Sequence, residues 1–177
     1  MILCTGNPAH PTVASAVKQV FSTAEFASRN TGYDLRLLDN HSESYFRTNI
    51  KKYNVFINSS FICVGAQLKL MELAHAEWMK ADIKGHIINI GSTAEWNDSD
   101  VHAEYIRSKR ELRARSLQLN DETGITGVKT SYIIAAGLND GKAGNEQYLS
   151  LSSVADAIEW ILKNPNRIPL LQIEVAK

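Results

Sequence analysis

Short apolar runs alternate along the chain with longer stretches whose apolar positions recur at helical spacing. Ile2-Leu3-Cys4 is strand-like, and Pro11 suits the first turn of a helix whose apolar face is Val13, Ala16, Val17, Val20 and Phe21. This pattern predicts that the helix runs to Arg29 or Asn30, that Gly32 ends it, and that Leu35 to Leu38 forms a second strand finishing at Asp39. The polar stretch from His41 to Tyr53 has room for one short helix before Val55-Phe56-Ile57, a third strand ending at Asn58. Leu68, Met71, Leu73, Ala74 and Trp78 mark a buried helix that stops before Lys84-Gly85. His86 to Ile90 is the next strand, and a helix from about Val101 to Asp121 follows, with Tyr105, Lys109, Leu112, Ser116 and Leu119 on its inner stripe. Gly124 and Gly127 are expected to break it. Val128 to Ile134, a last helix over Ser153 to Leu162, and a sixth strand over Leu170 to Val175 complete the pattern.

Strands alternating with helices argue for a three-layer α/β/α sandwich around a mainly parallel sheet of about six strands. In such sheets ligands sit beyond the carboxyl ends of the strands, where strand order reverses. Thr5-Gly6-Asn7-Pro8-Ala9-His10-Pro11-Thr12, Asp39, Asn58-Ser59-Ser60, Gly91-Ser92-Thr93 and Ala136-Gly137 are expected to converge there.

Composition narrows the partners. With 177 residues, 44% of them hydrophobic, the chain can bury one core, and no linker or repeat divides it, so residues 1–177 are expected to form one domain. Nineteen basic and nineteen acidic side chains cancel, which removes the field that would draw the molecule to nucleic acid or an anionic membrane. Arg107, Arg110, Arg113 and Arg115 are interspersed with Glu104 and Glu111, a pattern that reads as a solvated or subunit-facing helix surface. Cys4 and Cys63, far apart and outside metal-ligand spacing, read as reduced cysteines of a cytoplasmic protein, and the five histidines form no metal-binding group. No apolar run approaches the length of a membrane span, and the start lacks the features of a signal peptide.

Candidate chemistry lies in Tyr105-Ile106-Arg107-Ser108-Lys109. Tyrosine and lysine at i and i+4 share a helix face, so the ammonium favours the ionised phenol and makes it a usable general acid or base. Ser92 ends the preceding strand and would polarise a substrate oxygen beside that phenol. His86 to Thr93, Tyr105 to Leu119 and Thr123 to Gly137 together resemble the catalytic core of the short-chain dehydrogenase/reductase family. Val55 to Ser60 resembles the family's strand ending in NNAG, retaining the first Asn. The opening turn takes the place of TGxxxGxG, and Ser152 to Leu162 is similar to the helix after the substrate loop.

That resemblance implies a Rossmann-like fold and NAD(P)-dependent interconversion of a small-molecule carbonyl and alcohol. Ser92, Tyr105 and Lys109 would be the catalytic residues. Thr5, Gly6, Asn7, His10, Asp39, Asn58, Lys109 and Gly137 would bind NAD or NADP. It also implies a homo-oligomer, dimer or tetramer, formed through the helix at Val101 to Asp121 or the last helix and strand. About one β–α unit is missing, and only about fifteen residues follow Gly137 before the last helix, which implies a shortened substrate lid.

Several residues depart from the family pattern. His10 and Thr12 stand where the second and third loop glycines would be, and Pro8 and Pro11 remove N–H donors from a turn that grips phosphate through such donors. His10 would compensate as a cation or donor, or serve simply as a loop residue. No Asn occurs from Cys63 to Gly65, where the family's helical active-site Asn would fall, so a proton relay there is absent or rebuilt. Trp78 and Trp160 suit helix packing, Trp96 is near enough to Ser92 to line a substrate pocket, and Cys63 reads as a buried small residue. Two functional readings stay open: an NAD(P)-dependent oxidoreductase, and a catalytically degenerate nucleotide-binding or interaction protein of the same fold. Arg29, Arg36 and Asp39 pull the choice between NAD and NADP in opposite directions.

Overall fold

The computed structural model describes residues 1–31, 40–61, 63–98, 100–139, 144 and 147–175. Six strands form one parallel sheet: β1 (Ile2–Thr5), β2 (Glu25–Ala27), β3 (Val55–Asn58), β4 (His86–Ile90), β5 (Lys129–Ala135) and, last in the chain, a strand over Leu170–Ile173. Between them lie α1 (Val13–Val20), α2 (Asn40–Ile50), α3 (Ala66–Lys80), α4 (Ala103–Asp121) and the short α5 (Thr123–Thr126). A two-stranded ribbon, β6 (Leu138–Asn139) with β7 (Leu149–Ser150), precedes α6 (Leu151–Lys163), so the final sheet strand is β8.

The sheet order is β2-β1-β3-β4-β5-β8. It reverses direction between β1 and β3, which makes the carboxyl ends of those strands the place for a ligand. The usual doubly wound order has another strand outside the second. Here the described residues between β2 and β3 hold a single-turn 3₁₀ helix and α2.

Alternation along the strands sorts the core into two layers. Leu3, Phe56, Ile87, Tyr132 and Ile134 face α2, α3 and α4 through Phe46, Ile50, Leu70, Met71, Trp78, Leu112 and Leu119. Cys4, Ile57, Ile88, Ile90, Ile133 and Ala135 face α1 and α6 through Val13, Ala14, Val17, Val154, Ala157, Ile158 and Ile161.

Four expectations need correction. The first helix ends at Val20, where Phe21 leaves helical geometry with φ −116° and ψ 81°, and the second strand is Glu25–Ala27. An eight-residue helix of about 12 Å already spans a four-residue strand of about 13 Å, so the chain can turn back at once. Parallel pairing of Thr5 with Ala27 then aligns the ends of β1 and β2. The expected strand over Leu35 to Leu38 and the expected contact at Asp39 lie outside the described residues. Gly124 sits inside α5, and the break falls at Gly127, whose φ of +71° ends that helix. Trp160 is 50% exposed on α6 and packs into neither layer, and Cys63 is exposed rather than buried. Among the described residues, no helix is long and apolar enough to cross a membrane.

Candidate active site

Ser92 follows β4 in extended geometry, with φ −153° and ψ 143°. A Cβ on Gly91 would overlap the Tyr132 hydroxyl, so only glycine allows Tyr132 to fill the space under the strand end. Ser92 Oγ accepts from Ala94 N–H at 3.2 Å, which leaves the hydroxyl hydrogen for a ligand. Tyr105, in the first turn of α4, is half-buried, and Lys109, one turn on, is buried on the same face. Ser92, Tyr105 and Lys109 line one cleft of about 280 Å³, together with Ala135 at the end of β5 and Ala136 and Gly137 just after it.

Lys109 is held by long-range contacts. Its Nζ donates to Gln67 Oε1 at 2.6 Å and to Ile90 O at 2.9 Å. Burial pushes its pKa down from 10.5 to about 8, with the Glu95 carboxylate opposing that shift. Gln67 is fixed in turn, since Nε2 donates to Asn58 O at 2.8 Å and Asn58 Nδ2 donates to Gln67 O at 2.8 Å and Asn89 Oδ1 at 2.9 Å. No Asn contacts the Lys109 amine among the described bonds; Gln67, in the first turn of α3, does. Asn58 itself is fully buried behind this pair and does not line the cleft.

Glu95 ties the segment after Ser92 to α4. Its carboxylate is fully buried, accepts from Tyr132 OH at 3.0 Å and pairs with Arg113 Nη1 at 3.2 Å. The Arg110 Nε donates to Glu95 O at 2.7 Å. Burial raises the pKa of Glu95 while Arg113, foremost among its neighbours, pulls it back. Trp96 is not among the residues lining the cleft: its ring, half-exposed, lies 4.3 Å from the Arg113 guanidinium.

The phosphate-loop end is a second hollow of about 340 Å³, bordered by Pro11, Thr12, Val13, Ser59, Ser60, Phe61, Leu138 and Leu151. Val13, Ser59, Phe61 and Leu138 border both hollows, so the two form one elongated groove past the N-terminus of α1. Gly6 has φ +127°, and a Cβ there would meet Ser60 Oγ at 2.8 Å and Ala14 Cβ at 3.0 Å. Thr5 is fully buried and its Oγ1 accepts Ser59 N–H at 2.9 Å and Ser60 N–H at 3.0 Å, joining the ends of β1 and β3. Asn7 Oδ1 accepts Ala9 N–H at 3.0 Å, and neither Asn7 nor His10 borders either hollow. The groove's length, the helix N-terminus at its rim and the amine at its far end suit an elongated ligand with an anionic middle.

Phe61, Gln67 and Glu95 escape a reading of the sequence alone. Gln67 lies nine residues after Asn58, a spacing that returns a helix start to a strand end, and that is the only local signal it carries. Cys4, the buried cysteine, has a thiol pushed up to about 12 by burial, so it is no nucleophile. No group of three or more His, Cys, Asp or Glu stands close enough to hold a metal among the described residues.

No profile of a known protein family matches the chain. An uncharacterized oxidoreductase of Staphylococcus epidermidis is 26% identical over 132 residues, a match covering 71% of this chain and 57% of that protein. The chain thus spans little more than half the length of this relative. A 4-hydroxyisoleucine dehydrogenase complexed with NADH superposes with a TM-score of 0.78 at 16% identity, over 99% of this chain and 97% of the other. A short-chain dehydrogenase from Sphingobium yanoikuyae in complex with NADPH gives a TM-score of 0.75 at 13% identity, over 97% and 86%. The chain has the short-chain dehydrogenase fold, a Rossmann-like parallel sheet flanked by helices.

Proposed function

We propose that residues 1–177 act as one NAD(P)-dependent oxidoreductase unit of the short-chain dehydrogenase type, with a short lid, interconverting a small carbonyl and its alcohol. The observation that carries this reading is the meeting of Ser92, Tyr105 and Lys109 in one groove that continues to the N-terminus of α1. When bound, the nicotinamide supplies or receives the hydride. Tyr105 exchanges the proton with the substrate oxygen through its phenol oxygen, and the Ser92 hydroxyl donates to that same oxygen and orients it. Lys109, with Nζ 5.5 Å from the Tyr105 ring centre, favours negative charge on the phenol oxygen during the transfer. Gln67 and Ile90 O keep the amine pointed into the site.

Thr12, Val13, Ser59 and Ser60 would hold the phosphates, with Gly6 supplying the turn. The end of β2 favours NADP over NAD. Ser28-Arg29-Asn30 follows Ala27 directly, and the exposed Arg29 would set a cation where a Rossmann fold receives the adenosine ribose and its 2′-phosphate. A second reading, a nucleotide-binding protein without turnover, draws support from the loop that lacks two glycines and from the aromatic ring over Lys109.

Titrating NADPH and NADH into wild type and Tyr105→Phe, with turnover measured on a panel of small aldehydes and ketones, tests the proposal. Saturable binding with turnover that Tyr105→Phe abolishes is the expected result. Binding without turnover across the panel selects the second reading, and binding of neither nucleotide removes both.

A further inference from the structure

Phe61 stands three residues after Asn58, where an NNAG-like turn would carry glycine. Its ring packs edge-on against Tyr105 with centroids 4.8 Å apart. An ammonium has three N–H donors, and Lys109 gives two of them to Gln67 Oε1 at 2.6 Å and Ile90 O at 2.9 Å. The remaining side of the amine faces aromatic carbon, with Nζ 5.9 Å from the Phe61 centroid and 5.5 Å from that of Tyr105. Phe61 also borders the catalytic hollow, the phosphate-end hollow and a small hollow beside Gln67 and Ser108. Yet it is 43% exposed, so the ring is packed on one side only.

We propose that Phe61 is an aromatic cover over Lys109 that sets which nucleotides the groove accepts. In the structure described, Lys109 borders the cleft, and the Phe61 ring beside it narrows the approach of a ribose hydroxyl to the amine. An intact dinucleotide reaches Tyr105 and Lys109 only after the ring turns aside, whereas an adenylate half, which stops at the phosphate end, binds without moving it. The nucleotide part rests on the NAD(P) reading above; the cover itself does not.

Two measurements separate these claims. Reductive methylation with formaldehyde and a borohydride, followed by peptide mass spectrometry, reads the cover with no nucleotide present. Phe61→Ala should raise the labelling rate of Lys109 by about tenfold or more, with the exposed Lys18 as internal reference. Equal rates overturn the cover. Phe61→Leu, which keeps an apolar side chain, should fall between the two, so the comparison survives if the alanine variant folds poorly. In fluorescence and calorimetric titrations, Phe61→Ala should bind NADPH about tenfold more tightly than wild type while 2′,5′-ADP binds both within about twofold. Unchanged or weaker NADPH binding by the variant overturns the selection claim. Failure of either nucleotide to bind either protein overturns the cofactor reading and the selection claim together, while the methylation rates still decide the cover.

Discussion

Behind Ser92, Tyr105 and Lys109, buried side chains from α3, α4, β5 and the turn after β4 bond to one another across 37 to 42 positions of sequence, Gln67 with Lys109 and Tyr132 with Glu95. The turn from Gly6 to Thr12 is held mostly by its own residues: Asn7 Oδ1 accepts from Ala9, Asn7 O accepts from Thr12 Oγ1, and Ser15 Oγ accepts from Thr12 N–H. The first region exists only when the whole sheet has formed, and a change in one partner strands another. The second satisfies itself locally, so its residues can change with little effect on the fold. That contrast fits a groove whose Ser92, Tyr105 and Lys109 end is held by distant partners while the turn at its other end accommodates His10 and Thr12.

Substitutions at the chemical end should produce the larger effects. Tyr105→Phe should lower turnover by about 10²- to 10⁴-fold, the range of a lost general acid or base, with melting temperature unchanged because the half-buried hydroxyl has no partner in the described contacts. Glu95→Ala leaves Arg113 and Tyr132 without their buried acceptor and should cost about 3–5 kcal/mol of stability by denaturant unfolding. If its cost were below about 1 kcal/mol, the network would not be holding α4 to the segment after Ser92.

The phosphate end sharpens the comparison through two contrasting changes. Gly6→Ala should destabilise by about 1–3 kcal/mol, since alanine must adopt φ +127° and approach Ser60 and Ala14. The paired change His10→Gly with Thr12→Gly should move stability by less than about 1 kcal/mol and strengthen NADPH binding, measured by the same unfolding curves and by fluorescence titration.

A further effect should come from pH. In the fold, the Lys109 amine titrates at about 8 rather than 10.5, so between those values the unfolded chain binds more protons. Lys109 therefore costs stability below pH about 8, and that cost is relieved as pH rises toward 10.5. The difference in unfolding free energy between wild type and Lys109→Met should shift in favour of wild type across this window. A flat difference would mean that the amine is not buried as described.

How much of this was visible in the sequence follows the same division. Strands β3, β4 and β5 were legible because they are dense apolar runs, and Tyr105 and Lys109 because one helix sets their spacing. The three-residue β2 was not, because Glu25-Phe26-Ala27 lacks an apolar run and the helical pattern of Val13 to Phe21 ran on toward it. Gln67 and Glu95 were hidden since their partners are distant in sequence, and a buried carboxylate looks like any polar loop residue until Arg113 and Tyr132 are placed around it. Trp96 was misplaced for a related reason: nearness to Ser92 in sequence did not disclose that Arg113 would hold its ring outside the groove.

If Tyr105 and Ser92 serve a hydride transfer in this groove, hydrogen from the nicotinamide must appear on the product carbon. Wild type is incubated with NADPH deuterated at the nicotinamide C4 and the panel of small carbonyls, and the alcohols formed are analysed by mass spectrometry. Deuterium on the carbinol carbon of at least one product with wild type, at a rate lowered by about 10²- to 10⁴-fold in Tyr105→Phe, is the predicted result. Deuterium transfer at equal rates with both proteins, or none with wild type despite saturable NADPH binding, would contradict it.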